Sequence, residues 1–182
     1  TVEVPQAQTC CGQPGYNAGD FDTARALARQ VIAAFEGFDY VVGPSGSCMA
    51  TLRIDYPKLL ADDADWRLRA EGLAAKSFEL ISFLADVRGV QTVVADYAGT
   101  ATYHDACSGL RGLGIKAQPR RLLGSVAGLT LAEMADTEVC CGFGGSFCVS
   151  YPEISGRMAD DKRARVAETG ADTLLGGDLG CL

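Results

Sequence analysis

Short apolar runs separated by amphipathic helical stretches predict an α/β fold, because strands that alternate with helices pair in parallel. Two further observations refine that class. The tripeptide Cys-Cys-Gly occurs twice, at residues 10–12 and 140–142, and each copy is followed by a helix, a short strand and a loop ending in cysteine. The 182-residue chain therefore reads as two tandem, pseudo-symmetric units, residues 1–88 and 89–182, each with short parallel strands and flanking helices.

The elements follow in order. Residues 22–38 place apolar side chains at helical spacing and open on Asp22, a good N-cap. The run "DYVVG" at 39–43 ends in Gly-Pro and predicts a buried strand. Residues 67–87 predict one long amphipathic helix, with Gly72 a mild weakness. In the second half, "ATYHDAC" (101–107) predicts a strand running into a cysteine loop. Residues 119–126 predict a short helix with Pro119 in its first turn. A further helix over 153–170 is closed by Gly170, and "DTLLG" (172–176) predicts a last short strand.

The two halves superimpose as sequence. "FDYVVGPSGSC" (38–48) and "ADTLLGGDLGC" (171–181) share a plan of Asp, three strand residues, Gly and a loop ending in Cys. Asp39 lies 28 positions after Cys11, and Asp172 lies 31 after Cys141. Cys107 stands 33 positions before Cys140; the first copy's counterpart would fall upstream of Thr1, so the first unit is expected to be N-terminally incomplete.

Composition narrows the function classes. A net charge of −7 argues against a grip on nucleic acid or anionic lipid, which needs clustered Lys and Arg. No apolar run approaches the roughly 20 residues of a membrane span. No basic segment followed by an apolar one opens the chain. In a reducing compartment, eight cysteines with two adjacent pairs point to metal binding or redox chemistry before disulfides.

Loops at the carboxyl ends of parallel strands converge, which brings Cys107, Cys140, Cys141 and Cys181 together as four thiols from three loops. Four thiolates suit tetrahedral zinc or an iron–sulfur cluster, and the residues leave both open. The first unit offers Cys10, Cys11 and Cys48. Gly12, Gly142, Gly144 and Gly145 let the backbone approach a bulky group and free amides for its sulfurs. Cys148 reads as a small buried hydrophobe. His104, the only histidine, either tunes the site or holds a loop by a hydrogen bond. Tyr16, Tyr56 and Tyr151 are expected to pack against the loops. Residues 60–67 read as a solvated acidic turn, and the basic stretch 109–121 as a solvated loop and helix start rather than a dock for an acidic partner. No nucleophile elbow, P-loop or dinucleotide fingerprint is present, no histidine base faces a nucleophile, and no residue is assigned a catalytic role.

The stretches "CCGQPGYNAG", "PSGSC", "YHDACSGLRGLGIKAQPRRLL", "CCGFGGSFCVSYPEIS" and "DLGCL" together resemble the cysteine-rich CCG-domain family, in its branch of lactate-utilisation and glycolate-oxidation iron–sulfur subunits. The resemblance covers nearly the whole chain. It implies a cytoplasmic protein with two tandem CCG units that relays electrons, through a cluster of the 4Fe–4S type, while L-lactate (or glycolate) is oxidised. It implies partners as well, among them a ferredoxin-like iron–sulfur subunit. The implied ligands are Cys107, Cys140, Cys141 and Cys181 in the second unit, and Cys10, Cys11 and Cys48 in the first. Ser45 and Asp178 depart from the family's Cys-x-x-Cys ending, which leaves zinc in one unit open. Two other classes remain: a zinc-stabilised assembly module without redox role, and a dithiol switch using Cys10/Cys11 or Cys140/Cys141.

Overall fold

The computed structural model describes residues 1–182. Two compact units result: Thr1–Gly43 with Ser47–Phe78, and Pro44–Gly46 with Glu79–Leu182. The class is α/β, with short strands in two small sheets flanked by helices.

The first unit starts with α1 (Gln13–Ala18), which Gly12 opens at φ 80°, and continues with α2 (Phe21–Phe35). The cap of α2 is Asp20, not the expected Asp22: its carboxylate accepts the Thr23 amide at 3.2 Å, and Asp22 falls in the first turn. Ala24, Ala28, Val31 and Ile32 form the buried stripe of α2. Strand β1 (Val41–Gly43) pairs with β2 (Ser77–Glu79) in a two-stranded sheet, and Val42 faces out, so β1 is buried on one side only.

The segment after β1 is helical where a loop was expected. Helix α3 (Gly46–Ala50), a π-helical turn (Thr51–Asp55) and α4 (Tyr56–Leu59) run on without a break, so Cys48 sits on a helix. Helix α5 (Ala64–Lys76) follows, capped by Asp63, which accepts the Trp66 amide and pairs with Arg29 at 3.2 Å. The acidic turn at 60–67 is thus partly a cap with a partner, and Leu60 within it is buried.

The long helix expected over 67–87 breaks at β2. Ser77 turns extended and its Oγ donates to the Leu73 carbonyl at 2.8 Å, while the Glu79 carboxylate accepts the Ser82 amide at 2.9 Å and starts a new helix. Two side chains bonding to local backbone compete with the helical ladder and win.

In the second unit, α6 (Leu80–Ser82) and a π-helical turn (Phe83–Val87) precede β3 (Asp96–His104). Cys107 caps a further π-helical turn (Ser108–Gly112), followed by α7 (Ala117–Leu123), β4 (Ala127–Leu131), α8 (Phe147–Ser150), α9 (Pro152–Glu168), β5 (Thr173–Gly176) and a 3₁₀ turn (Leu179–Cys181). Gly170, at φ 63°, closes α9 as expected. The sheet order is β4-β3-β5 with all neighbours parallel, and Ala101–His104 align with Thr173–Gly176. Strand β5 is half-buried along its length rather than a core strand. The core lies under the carboxyl end of β3, where Ala101 to Ala106 are all buried. No helix is long and apolar enough to cross a membrane.

The basic stretch 109–121 is consumed within this unit. Arg120 binds Asp105 and Glu133, Lys116 binds Glu138, and Arg121 pairs with Asp86.

Candidate metal centre

Each Cys-Cys-Gly turn is set by its glycine. Gly12 at φ 80° and Gly142 at φ 92° occupy the left-handed region, which turns each glycine amide back onto the first cysteine of its pair. The Gly12 amide lies 3.4 Å from Cys10 Sγ, and the Gly142 amide 3.4 Å from Cys140 Sγ. The turns also pack against the helices that follow. A Cβ on Gly142 would meet the Ser155 carbonyl of α9 at 2.7 Å, and Ser155 Oγ donates to the Gly142 carbonyl at 2.9 Å.

In the first unit the structure pairs Cys11 with Cys48. The Cys48 sulfur, accepting the Cys11 thiol proton, raises the Cys11 pKa far above the thiol range, and burial adds to it. Cys10 stands exposed beside them. Tyr56, buried as expected, donates its hydroxyl to the Cys11 carbonyl at 2.7 Å and fixes the turn from below. Tyr16 is half-buried against Phe21, and Tyr151 is exposed beside Phe147.

In the second unit the cysteines arrive from the loop after β3, the turn before α8 and the loop after β5. Cys107 and Cys140 are hydrogen-bonded neighbours, and burial with the nearby sulfurs pushes the Cys140 thiol up. Cys141 and Cys181 form the other pair. The Cys181 thiol donates to the Cys141 sulfur, which holds Cys141 well below the usual thiol range despite its burial, and His104 adds to the effect. The same bond, with burial, pushes Cys181 up. A metal or cluster held by these sulfurs displaces the thiol protons.

His104, expected either to tune the site or to hold a loop by a hydrogen bond, stands beside Cys141 and Cys181. It is 1% exposed at the end of β3, and neither ring nitrogen makes a hydrogen bond of ordinary geometry. One imidazole nitrogen, Cys141 Sγ and Cys181 Sγ all lie within 4.8 Å of one another. Leaving a buried polar group unpaired costs about 1–3 kcal/mol. A nitrogen and thiolates converging at such a point are the donor chemistry of zinc and of iron–sulfur sites, so the residues fit a metal or cluster. The one sequence signal of His104 was its place at a strand's carboxyl end, three residues before Cys107.

The surroundings hold this arrangement. Arg120 clamps Asp105 through two 2.9 Å hydrogen bonds, and Thr137 donates to the same carboxylate at 2.6 Å. Burial would raise the Asp105 pKa, but those bonds outweigh it and hold the carboxyl below its ordinary range. Buried Lys162 donates to the Asp136 carbonyl at 2.7 Å; burial lowers its pKa, opposed by the Cys141 charge. Cys148 is half-buried and donates to the Gly145 carbonyl at 3.0 Å, which shapes the glycine loop as a structural residue would. A cleft of about 440 Å³ opens beside Cys140, lined also by Asp136, Met158, Lys162 and Arg165.

A profile of the cysteine-rich CCG domain matches residues 1–53 and 101–182, the two stretches that carry both cysteine-glycine turns and their closing cysteines. The chain belongs to the cysteine-rich CCG-domain family. Over its whole length it is 48% identical to the lactate utilization protein A of Oceanobacillus iheyensis, of which it covers 74%. It is likewise 48% identical to the proteins of that name from an Exiguobacterium species and from Geobacillus kaustophilus, covering 74% and 75% of them. The CCG turns of the family are thus the two glycine-locked turns described above, at residues 10–12 and 140–142.

Ser45 and Asp178 precede Cys48 and Cys181 by three residues each, and the Ser45 hydroxyl donates to Asp178 Oδ2 at 3.1 Å. The Gly46 amide donates to the Gly177 carbonyl at 3.1 Å beside them.

Proposed function

We propose that this chain is an iron–sulfur electron-transfer subunit of a system that oxidises L-lactate or glycolate. Cys107, Cys140, Cys141 and Cys181 would hold a cluster of the 4Fe–4S type in the second CCG unit, and Cys10, Cys11 and Cys48 would supply the first. The pairing of Cys107 with Cys140 and of Cys141 with Cys181, with His104 beside the latter pair at the carboxyl end of a parallel sheet, supports this reading. The relatives' names supply lactate as the substrate class. A bound cluster would supply a one-electron carrier.

The chain's own residues have three tasks in this reading. The thiols anchor the group, and the Gly12 and Gly142 amides, already 3.4 Å from sulfur, stabilise negative charge on it. The Asp105–Arg120–Thr137 clamp keeps the segment between His104 and Cys107 in place. Electrons would pass to and from partner proteins, a ferredoxin-like iron–sulfur subunit among them.

The test is anaerobic preparation of the full chain, with iron, sulfide and zinc analysis and electron paramagnetic resonance of the reduced protein. The reading expects iron and acid-labile sulfide with a signal from a reduced cluster, lost in Cys107→Ser. A colourless protein with stoichiometric zinc and no iron would overturn it. The nitrogen among the sulfurs favours that second reading, a zinc-stabilised assembly module, since zinc accepts mixed imidazole and thiolate ligands.

A further inference from the structure

We propose that His104 is itself a metal ligand of the second site, one ring nitrogen sharing an ion with Cys141 Sγ and Cys181 Sγ. The inference rests on the reading that this site binds metal, and it is stated for a single tetrahedral ion, zinc or iron, since each iron of a 4Fe–4S cluster takes only one protein ligand. It assigns a ligand outside the cysteine set.

Three observations carry it. His104 is 1% exposed, yet neither ring nitrogen makes a hydrogen bond of ordinary geometry and the ring acts on the Cys141 sulfur instead, although a buried imidazole is normally hydrogen-bonded. Its ligand nitrogen and the two sulfurs lie within 4.8 Å of one another. Donors on one tetrahedral ion, with bonds of 2.0–2.3 Å, stand roughly 3.5–3.8 Å apart, so closure asks for movements of about 1 Å. Finally, the ring is carried by a paired strand, with His104 in register with Gly176, and Cys181 follows five residues after Gly176. Sheet pairing therefore sets the distance between histidine and cysteine before any metal arrives.

Neighbouring groups leave the ring available. Asp105, the adjacent carboxylate, is occupied by Arg120 and Thr137 and does not compete for it. His104 is the one histidine of the 182 residues, and the second site is then a mixed nitrogen–sulfur site.

That single histidine makes the test unambiguous. The full chain, prepared anaerobically without a histidine tag and with ¹⁵N-labelled histidine, is freed of metal and titrated with zinc. Binding is followed by competition with a chelating dye, and the ring nitrogens by long-range ¹H–¹⁵N correlation. The proposal expects one ring nitrogen to shift on zinc binding, and His104→Gln to weaken zinc binding by at least about tenfold. Zinc binding with both ring nitrogens unmoved would overturn the proposal and leave the metal reading standing. Failure to retain either zinc or iron would overturn both. If His104→Gln does not fold, the spectrum of the unaltered protein decides alone.

Discussion

At the first CCG turn the Gly12 amide lies 3.4 Å from Cys10 Sγ, and at the second the Gly142 amide lies equally far from Cys140 Sγ. The second cysteines, Cys11 and Cys141, are equally buried. Yet Cys11 is driven toward the thiol and Cys141 toward the thiolate, each through a bond to its own partner cysteine. Beside Cys141 stands His104, whereas the first turn is backed by the Tyr56 hydroxyl on a carbonyl. The backbone turns match, and what differs is the group behind each, an imidazole at the second and a tyrosine hydroxyl at the first. A repeat preserves geometry more faithfully than it preserves charge.

The largest test of this contrast exchanges the same atom in both turns. Cys141→Ser should cut metal affinity at the second site by more than about a hundredfold, since even outer residues of a metal site are worth 10–100-fold. Cys11→Ser should leave the His104 ring signals of the metal-loaded protein unchanged. Equal loss of those signals in both variants would dissolve the distinction between the sites.

Next in size is the support behind the second site. Arg120→Ala strips a carboxylate with no exposed side-chain surface of a bidentate partner, and should cost about 3–5 kcal/mol in denaturant unfolding. Acid acts in the same direction. Asp105 is held below its ordinary pKa, so its contribution is present above the unfolded value near 4 and lost as pH falls through the lower folded value. Arg120→Ala should flatten that acid limb, and an unchanged limb would remove Asp105 from the account.

A smaller pair compares the glycines. Alanine at either position costs about 1–2 kcal/mol for the left-handed backbone. At Gly142 the added carbon would also stand 2.7 Å from the Ser155 carbonyl, against 3.3 Å from the Leu27 side chain at Gly12. Gly142→Ala should therefore be the more destabilising, as read by thermal unfolding. The smallest effect is Tyr56→Phe, which leaves the Cys11 carbonyl without its hydroxyl donor at a cost of about 1 kcal/mol and should not alter the His104 ring signals.

The sequence made some of this plain and hid the rest for physical reasons. Doubled cysteines followed by glycine announced both turns, and helices alternating with short apolar runs announced parallel strands. The break at Ser77–Glu79 was hidden because the apolar pattern runs through it, and only hydrogen bonds from Ser77 and Glu79 to local backbone interrupt the helix. Strand β4 is five residues with Gly128 at φ 77°, too short and too irregular for a periodic signal. Cys48 was expected in a loop because Pro44 and Gly46 precede it, yet helix α3 begins at Gly46. The two roles open to His104 could not be told apart because its neighbours, Cys141 and Cys181, lie 37 and 77 residues away and meet it only through the sheet.

The bond between Ser45 and Asp178 has an evolutionary consequence. These side chains stand at matching positions of the two repeats and answer one another at 3.1 Å, with Asp178 also accepting the Gly180 amide. A cysteine introduced at 45 alone would face a carboxylate, which keeps a thiol protonated and poor at binding metal. A change at 178 alone would take away the acceptor of the Ser45 hydroxyl. Drift at one position is therefore felt at the other, and natural variants should change the two together.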